Sequence, residues 1–175
     1  MKNMKTDLTL SSLRELLHYD PETGAFTWRG RSGRGTNKSN AAGNLAGSKS
    51  TKGYICIKVG GGKSVKAHRL AWFYMTGEWP AEQIDHKDNI RANNAWANLR
   101  MATPKQNAQN QKSPSRNNKS GYLGVTWDRT QEKWAATICV NGRNRRLGRF
   151  KDPQSAHFAY LAAKSIHHPF AQVAG

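Results

Sequence analysis

The centre of the chain holds an aspartate–histidine pair that is followed, at fixed distances, by two asparagines. Asp85 and His86 close a short apolar run, Asn98 lies twelve residues after His86, and Asn107 lies nine residues further on. Residues 103–106, Thr-Pro-Lys-Gln, are typical of a helix start, with Thr as the N-cap and Pro at the first helical position. This order predicts a strand, a loop, a second short strand and a helix that carries Asn107.

The residue types in this stretch suit proton transfer and metal binding. A neutral imidazole accepts a proton near pH 7, and a hard divalent cation prefers oxygen ligands such as carboxylates and amides. On composition alone, the alternative is a solvated Asp-His pair beside asparagines that merely form a loop.

Residue types, spacing and helix start together resemble the HNH family of metal-dependent nucleases, in the ββα-metal form of the phage homing endonucleases. The resemblance covers residues 8–111. It implies that His86 is the general base and that Asn98 supports the loop and so orients the histidine. It also implies that Asp85 and Asn107 bind Mg²⁺ or Mn²⁺, and that DNA is cut to leave 5′-phosphate and 3′-hydroxyl ends.

The residues before this stretch predict a mixed α and β structure. A helix is predicted over 9–18, strands over 25–28, 53–59 and 63–67, and a loop or phosphate-tracking arm over 29–50. A buried helix over 68–77 begins with His68. Similar His-Arg helices precede the Asp-His strand in the phage nucleases, which makes His68 a candidate active-site neighbour. The alternative is a packing histidine with a satisfied hydrogen bond.

The charge of the chain indicates a polyanionic partner. The 28 Lys and Arg against 11 Asp and Glu give a net charge of +17. Residues 1–83 carry +7 and residues 112–175 carry +8, whereas residues 84–111 carry only +2. We therefore expect double-stranded DNA, held by two basic flanks across the central site. A membrane-surface binder would need a basic amphipathic helix with a broad apolar face, which we do not find.

Cysteine usage and hydropathy limit the metal sites and the cellular locations that we expect. The two cysteines, Cys56 and Cys139, lie far apart without a CxxC pair, so no structural zinc is expected. No apolar run approaches the ~20 residues of a membrane span, and no apolar core of a signal peptide follows the basic first residues. We expect a cytoplasmic protein, of phage or mobile-element type by the resemblance, with a monomer favoured.

A second module is predicted beyond a polar linker at residues 112–120. Strands are predicted over 121–127, 133–140 and 143–150, with Asn141-Gly142 as a hairpin turn, and a helix from Asp152-Pro153 to about residue 167. In the second strand, alternation directs Trp134, Ala136 and Ile138 towards the helix and leaves Lys133, Thr137 and Cys139 on the other face.

Residues 121–175 resemble the plant ethylene-response-factor (APETALA-type) DNA-binding domain. The match lies in Gly-Val-Thr-Trp, Lys-Trp-Ala-Ala-Thr-Ile, Leu-Gly-Arg-Phe and Ala-Tyr-Leu-Ala-Ala. In that family the sheet lies in the major groove and the second strand usually carries charged side chains that read bases. Thr137 and Cys139 stand there instead, so the sequence preference must differ. The alternative is a solvated basic face. The predicted DNA-binding residues are Arg129, Lys133, Thr137, Arg143, Arg146 and Arg149.

The sequence thus predicts an α+β protein of two modules. A ββα-metal HNH nuclease domain occupies residues 1–111, and a three-stranded antiparallel sheet packed on one helix occupies residues 121–175. The predicted activity is that of a metal-dependent DNA endonuclease of the homing type. The alternative is a non-cleaving DNA-binding regulator that keeps the HNH fold as a scaffold. The recognition sequence, and the choice between a nick and a double-strand break, stay open.

Overall fold

The computed structural model describes residues 8–30, 40–59, 63–111 and 113–171, and the chain divides into two compact units, Met1–Thr103 and Pro104–Gly175. Residues 60–62, between two of the predicted strands, and part of the segment 29–50 lie outside the described residues. The predicted boundaries at residues 111 and 121 stay a prediction. No helix in the described ranges is long and apolar enough to cross a membrane.

The first unit begins with helix α1 (Leu10–Leu16), which ends two residues before its predicted end. Thr9 caps it and forms a capping box with Ser12. The helix prediction is wrong for Leu17 and His18, because β1 (Leu17–Tyr19) pairs antiparallel with β2 (Phe26–Trp28). Extended backbone turns Leu17 and Tyr19 into the core, where both are buried. The free energy gained by burying these two side chains outweighs the small contribution of helix propensity.

A three-stranded antiparallel sheet leads directly into the second helix. The strands β3 (Ser48–Lys49), β4 (Ile55–Val59) and β5 (Lys63–Lys66) lie in that order, and α2 (Ala67–Thr76) follows without a loop. As predicted, α2 ends at Gly77, whose φ of 77° closes the helix through a bond from its N–H to Phe73 O. The core of the unit contains Leu13, Leu17, Tyr19, Phe26, Ile57, Leu70 and Phe73.

The two strands predicted around the central stretch form an antiparallel pair. Strand β6 (Gln83–His86) pairs with β7 (Leu99–Ala102), and a short 3₁₀ turn (Trp96–Asn98) leads into β7. The register sets Asp85 opposite Arg100 and His86 opposite Leu99. Helix α3 (Pro104–Gln109) begins at the predicted proline and belongs to the second unit.

The second unit holds a three-stranded antiparallel sheet and helix α4. Strands β8 (Val125–Asp128), β9 (Lys133–Val140) and β10 (Arg143–Phe150) lie with β9 in the middle, and α4 (Pro153–His167) is capped by Asp152. Strands β9 and β10 and helix α4 have the predicted bounds. Val125, Ala136 and Ala156 are buried together, so the Trp134/Ala136 face of the sheet packs on the helix, as alternation predicted.

The first strand of this sheet starts four residues later than predicted. Gly121 and Gly124 have φ values of 73° and 77°, which a strand does not accommodate. A Cβ on Gly124 would overlap the ring of Tyr160, so the close approach requires glycine. Ser120, inside the predicted linker, donates through its hydroxyl to the carbonyl of Val125. The end of the predicted linker is therefore part of the fold.

Candidate active site

Asp85 and His86 are the last two residues of β6, and both side chains are buried. Their exposed fractions are 6% and 4%. Nε of Arg100, opposite Asp85 on β7, donates to Oδ2 of Asp85 at 3.0 Å, and Nη2 of Arg100 lies 3.0 Å from the same oxygen. A buried carboxylate needs a partner of this kind, because an unpaired charge is costly away from water. The pair fixes the position of the carboxylate beside the histidine.

The imidazole of His86 is held by Asn94 in the loop between β6 and β7. Nε2 of His86 lies 3.3 Å from Oδ1 of Asn94, and Nδ2 of Asn94 donates to the carbonyl of Ala92. Since the amide group of Asn94 donates to Ala92, its oxygen faces the ring, and Nε2 of His86 must carry the hydrogen. The basic lone pair of neutral His86 then lies on Nδ1.

The electrostatics of this position keep His86 neutral near pH 7. Burial lowers the pKa of His86 below its usual value, against the opposing effects of the Asn94 hydrogen bond and the negative charges of Asp88 and Asp85. A neutral imidazole is the form that accepts a proton.

Asn98 ties the two ends of the loop together through its side-chain amide. Its Nδ2 donates to Oδ1 of Asp88 and to the carbonyl of Asn93, while its Oδ1 accepts from the N–H of Asp88. Burial raises the pKa of Asp88, but hydrogen bonds from Ile90, Asn93 and Asn98 outweigh that effect and lower it. Asp88 is thus a charged hub of the loop, and Asn98 suits the supporting role predicted for it.

His68, the candidate neighbour, does lie beside His86. The two ring centroids are 5.0 Å apart, with the planes almost perpendicular. His68 is 4% exposed, and no hydrogen-bond partner of its Nδ1 is found in the described part of the chain. Burial, then the charges of His86, Lys66 and Arg69, lower the pKa of His68 to about 3. The side chain is therefore a neutral neighbour of His86.

A tyrosine and two cations border the histidines. The ring of Tyr54 lies 5.3 Å from that of His68 and 6.2 Å from that of His86. Nζ of Lys66 lies 4.1 Å from the centroid of the Tyr54 ring, and Cζ of Arg91 lies 5.0 Å from it. Distances of this size allow cation–π attraction.

Sequence reasoning missed five residues of this site. A signal existed for Arg100, because the predicted strand pair sets a residue of β7 opposite Asp85. None existed for Tyr54 and Lys66, which precede His86 by 32 and 20 residues in the chain. The missed residues are Tyr54, Lys66, Arg91, Asn94 and Arg100.

The side chains fit a hard divalent cation better than a softer metal. Within the described ranges, no three His, Cys, Asp or Glu side chains come together as a metal site. The carboxylate of Asp85 is positioned beside His86. Mg²⁺ commonly binds through one or two protein oxygens and keeps several waters. Asn107 lies on α3 in the second unit, and its role as a ligand stays a prediction.

In the second unit, the β9–β10 pairing gathers four of the six predicted DNA-binding residues on one face. Arg146 pairs with Thr137, and Arg149 pairs with Ala135, because the register shifts by one residue after Arg146. This bulge puts two arginines three positions apart on the same side of the sheet. The face opposite α4 therefore carries Lys133, Thr137, Arg146 and Arg149.

Asp128, at the end of β8, positions both arginines. Its Oδ2 accepts from Nε of Arg149 at 2.9 Å and lies 3.5 Å from Nη1 of Arg146. The hydrogen bond from Arg149 lowers the pKa of Asp128, so the carboxylate stays charged. Arg143 pairs with Val140 and so lies on the opposite face, and Arg129 is exposed in the turn after β8.

The sequence around this site matches a known protein family. A sequence model described as HNH endonuclease matches residues 65–109, which include Asp85, His86, Asn98 and Asn107. Protein 3.8 of Escherichia phage T7 is 31% identical over 111 residues, which cover 63% of this chain and 91% of that protein. The chain belongs to the HNH endonuclease family, and this membership supports a nuclease or DNA-binding role.

Two further relatives share shorter parts of their length with the chain. The uncharacterized HNH endonuclease L560 of Acanthamoeba polyphaga mimivirus is 28% identical over 110 residues, which cover 61% of this chain and 56% of that protein. The solved structure titled "DNA binding and cleavage by the HNH homing endonuclease I-HmuI" is 29% identical, with 54% of this chain and 51% of that chain covered. Its TM-score of 0.40 is too low to assign a fold. The chain thus spans about half the length of these two relatives.

Proposed function

We propose that the protein is a metal-dependent DNA endonuclease of the homing type, in which His86 is the general base. The observation that carries the proposal is the pairing of a buried, neutral His86, held by Asn94, with the positioned carboxylate of Asp85. Nucleases of the HNH family generally depend on a divalent metal. The carboxylate of Asp85 would bind Mg²⁺ or Mn²⁺, and the ion would stabilise charge on the phosphate oxygens.

The residues of the first unit account for the proton transfer. Nδ1 of His86 accepts the proton of the attacking water, because Asn94 keeps the hydrogen on Nε2. Burial opposes the charged imidazolium, and the nearby carboxylates of Asp85 and Asp88 favour it. Asn98 contributes by holding Asp88 and the loop, so its effect on the rate is indirect.

The sheet of the second unit supports a proposal about substrate binding. Lys133, Thr137, Arg146 and Arg149 share the face that does not pack on α4, and residues 112–175 carry a charge of +8. We infer that this face binds double-stranded DNA, with phosphate contacts supplying affinity and base contacts supplying sequence preference.

One observation favours a second function, that of a DNA-binding regulator that does not cleave. Arg100 already neutralises Asp85, and a divalent metal must compete with this guanidinium for the carboxylate. If the ion pair persists in the presence of Mg²⁺ and DNA, the fold serves as a scaffold for binding.

The test is end-mapping after incubation of the full-length protein with a long DNA and Mg²⁺ or Mn²⁺. His86→Ala should lower the rate about 10²–10⁴-fold, the usual effect of losing a general base, with DNA affinity within a few-fold of wild type. His18→Ala, at an exposed histidine of the first unit, is the matched control and should cut normally. Cleavage by His86→Ala at the wild-type rate would remove His86 from the mechanism. Binding without any cutting by the wild type would select the regulator.

A further inference from the structure

We propose that Lys66, Arg91 and Tyr54 form a second phosphate-binding site, which holds a backbone phosphate of DNA beside the scissile one. This inference rests on the proposed function, because it takes His86 to mark the position of the cut. The ligand class is a phosphodiester of the DNA strand that lies in the active site.

The geometry brings two cations to one aromatic ring next to the base. Lys66 ends β5, Arg91 lies in the loop between β6 and β7, and both lie near the ring of Tyr54 at the distances given above. The guanidinium of Arg91 is also held by the carbonyl of Lys52, at 2.8 Å from Nη1. The two positive charges are therefore positioned by the fold, although both side chains are exposed.

No carboxylate of the described residues neutralises either cation. The ion pairs found there join Asp85 to Arg100 and Asp128 to two arginines, and neither Lys66 nor Arg91 takes part. Two cations beside one ring repel each other, and an anion bound between or beside them would offset that repulsion. Lys66 is also the N-cap of α2, and no side chain caps that helix start. The helix dipole adds to the positive potential there.

The position of the cluster fits a neighbouring phosphate and not the scissile phosphate itself. The Tyr54 ring lies 6.2 Å from that of His86, and the two cations lie 4.1 and 5.0 Å from the Tyr54 ring. One DNA strand presents a phosphate about every 3.4 Å of helix axis. A strand with its scissile bond at His86 would therefore place a phosphate one or two nucleotides away within reach of the cluster.

The first experiment measures binding of a duplex oligonucleotide in EDTA, where no cleavage occurs, across a salt series. Lys66→Gln combined with Arg91→Gln should lower the slope of log K against log salt by about 0.9, the value for one phosphate contact. Arg14→Gln is the control, because Arg14 is exposed and lies beside Tyr74, at the other end of α2 from Lys66. A double variant that keeps the slope of the control would overturn the inference.

The second experiment locates the phosphate with substrates that carry one uncharged methylphosphonate at each position within two nucleotides of the mapped cut. At one position, we expect the methylphosphonate to lower the affinity of the wild type about tenfold. The same substrate should not lower the affinity of the double variant, because the effects of removing two groups that contact each other are not additive. If every position affects the two proteins equally, the site does not exist. If the wild type binds but never cuts, the proposed function fails, and the salt series still decides whether the cations contact DNA.

Discussion

Replacing Asn98 with alanine should destabilise the first unit through the loop between β6 and β7. The amide makes three hydrogen bonds, at 2.8 to 3.0 Å, and one of them goes to the charged carboxylate of Asp88. Two ordinary bonds contribute about 1 kcal/mol each and the charged one about 1.5–3 kcal/mol. Asn98 is half-buried, so water replaces part of this loss. We expect Asn98→Ala to lower the free energy of unfolding by about 2–3 kcal/mol.

An aspartate at the same position sharpens the prediction. Asn98→Asp keeps the shape of the side chain but sets a second carboxylate about 3.0 Å from that of Asp88, where an N–H donated before. The repulsion should make Asn98→Asp less stable than Asn98→Ala at pH 7. The difference should shrink below about pH 4, where an ordinary aspartate takes up a proton.

The assay is urea unfolding followed by tryptophan fluorescence, because Trp96 lies two residues before Asn98. A lower midpoint with an unchanged m-value would report stability alone. Asn117→Ala, at an exposed asparagine of the second unit, is the control. A change within about 0.5 kcal/mol of that control, the range of ordinary surface substitutions, would refute the account of Asn98 as the support of the loop.

Three further outcomes follow from the structure. The pKa of about 3 for folded His68 lies below the unfolded value of 6.5, so the unfolded chain binds the proton first and stability falls as pH drops below 6.5. The free energy of unfolding can fall in this way by up to about 1.4 kcal/mol per pH unit. His68→Leu should make the fall shallower in unfolding curves measured from about pH 6 to 4. Gly24→Ala should lower the urea midpoint much more than Gly43→Ala. Both glycines have a positive φ, but of the two only Gly24 would bring a Cβ into overlap with neighbouring backbone. Equal midpoints would contradict this. Asp128→Asn should raise DNA affinity a few-fold at low salt, because it removes a negative charge. It should also weaken discrimination between sequences in competition binding, because it removes the anchor of Arg146. Unchanged discrimination would exclude Asp128 as a positioning residue.

Local sequence signals were sufficient to predict the elements that depend only on neighbouring residues. Asp152-Pro153 caps and starts α4. Asn141-Gly142 turns the β9–β10 hairpin with φ values of 53° and 78°, which only asparagine and glycine adopt readily. The spacing of Asp85, His86 and Asn98 likewise follows from one strand pair and its loop. Capping and turn chemistry act over neighbouring residues, so they can be predicted from the chain alone.

The partners of those residues were decided by the tertiary structure. Alternation alone would set Arg146 and Arg149 on opposite faces, and only the bulge after Arg146 brings them to one face with Asp128. Leu17 continues a helical pattern but lies in a strand, because pairing with Trp28 buries it. Tyr54 lies just before β4 and reaches the histidines from a distant part of the chain. Strand register and packing depend on residues far apart in the chain, and no local pattern records which of these will meet.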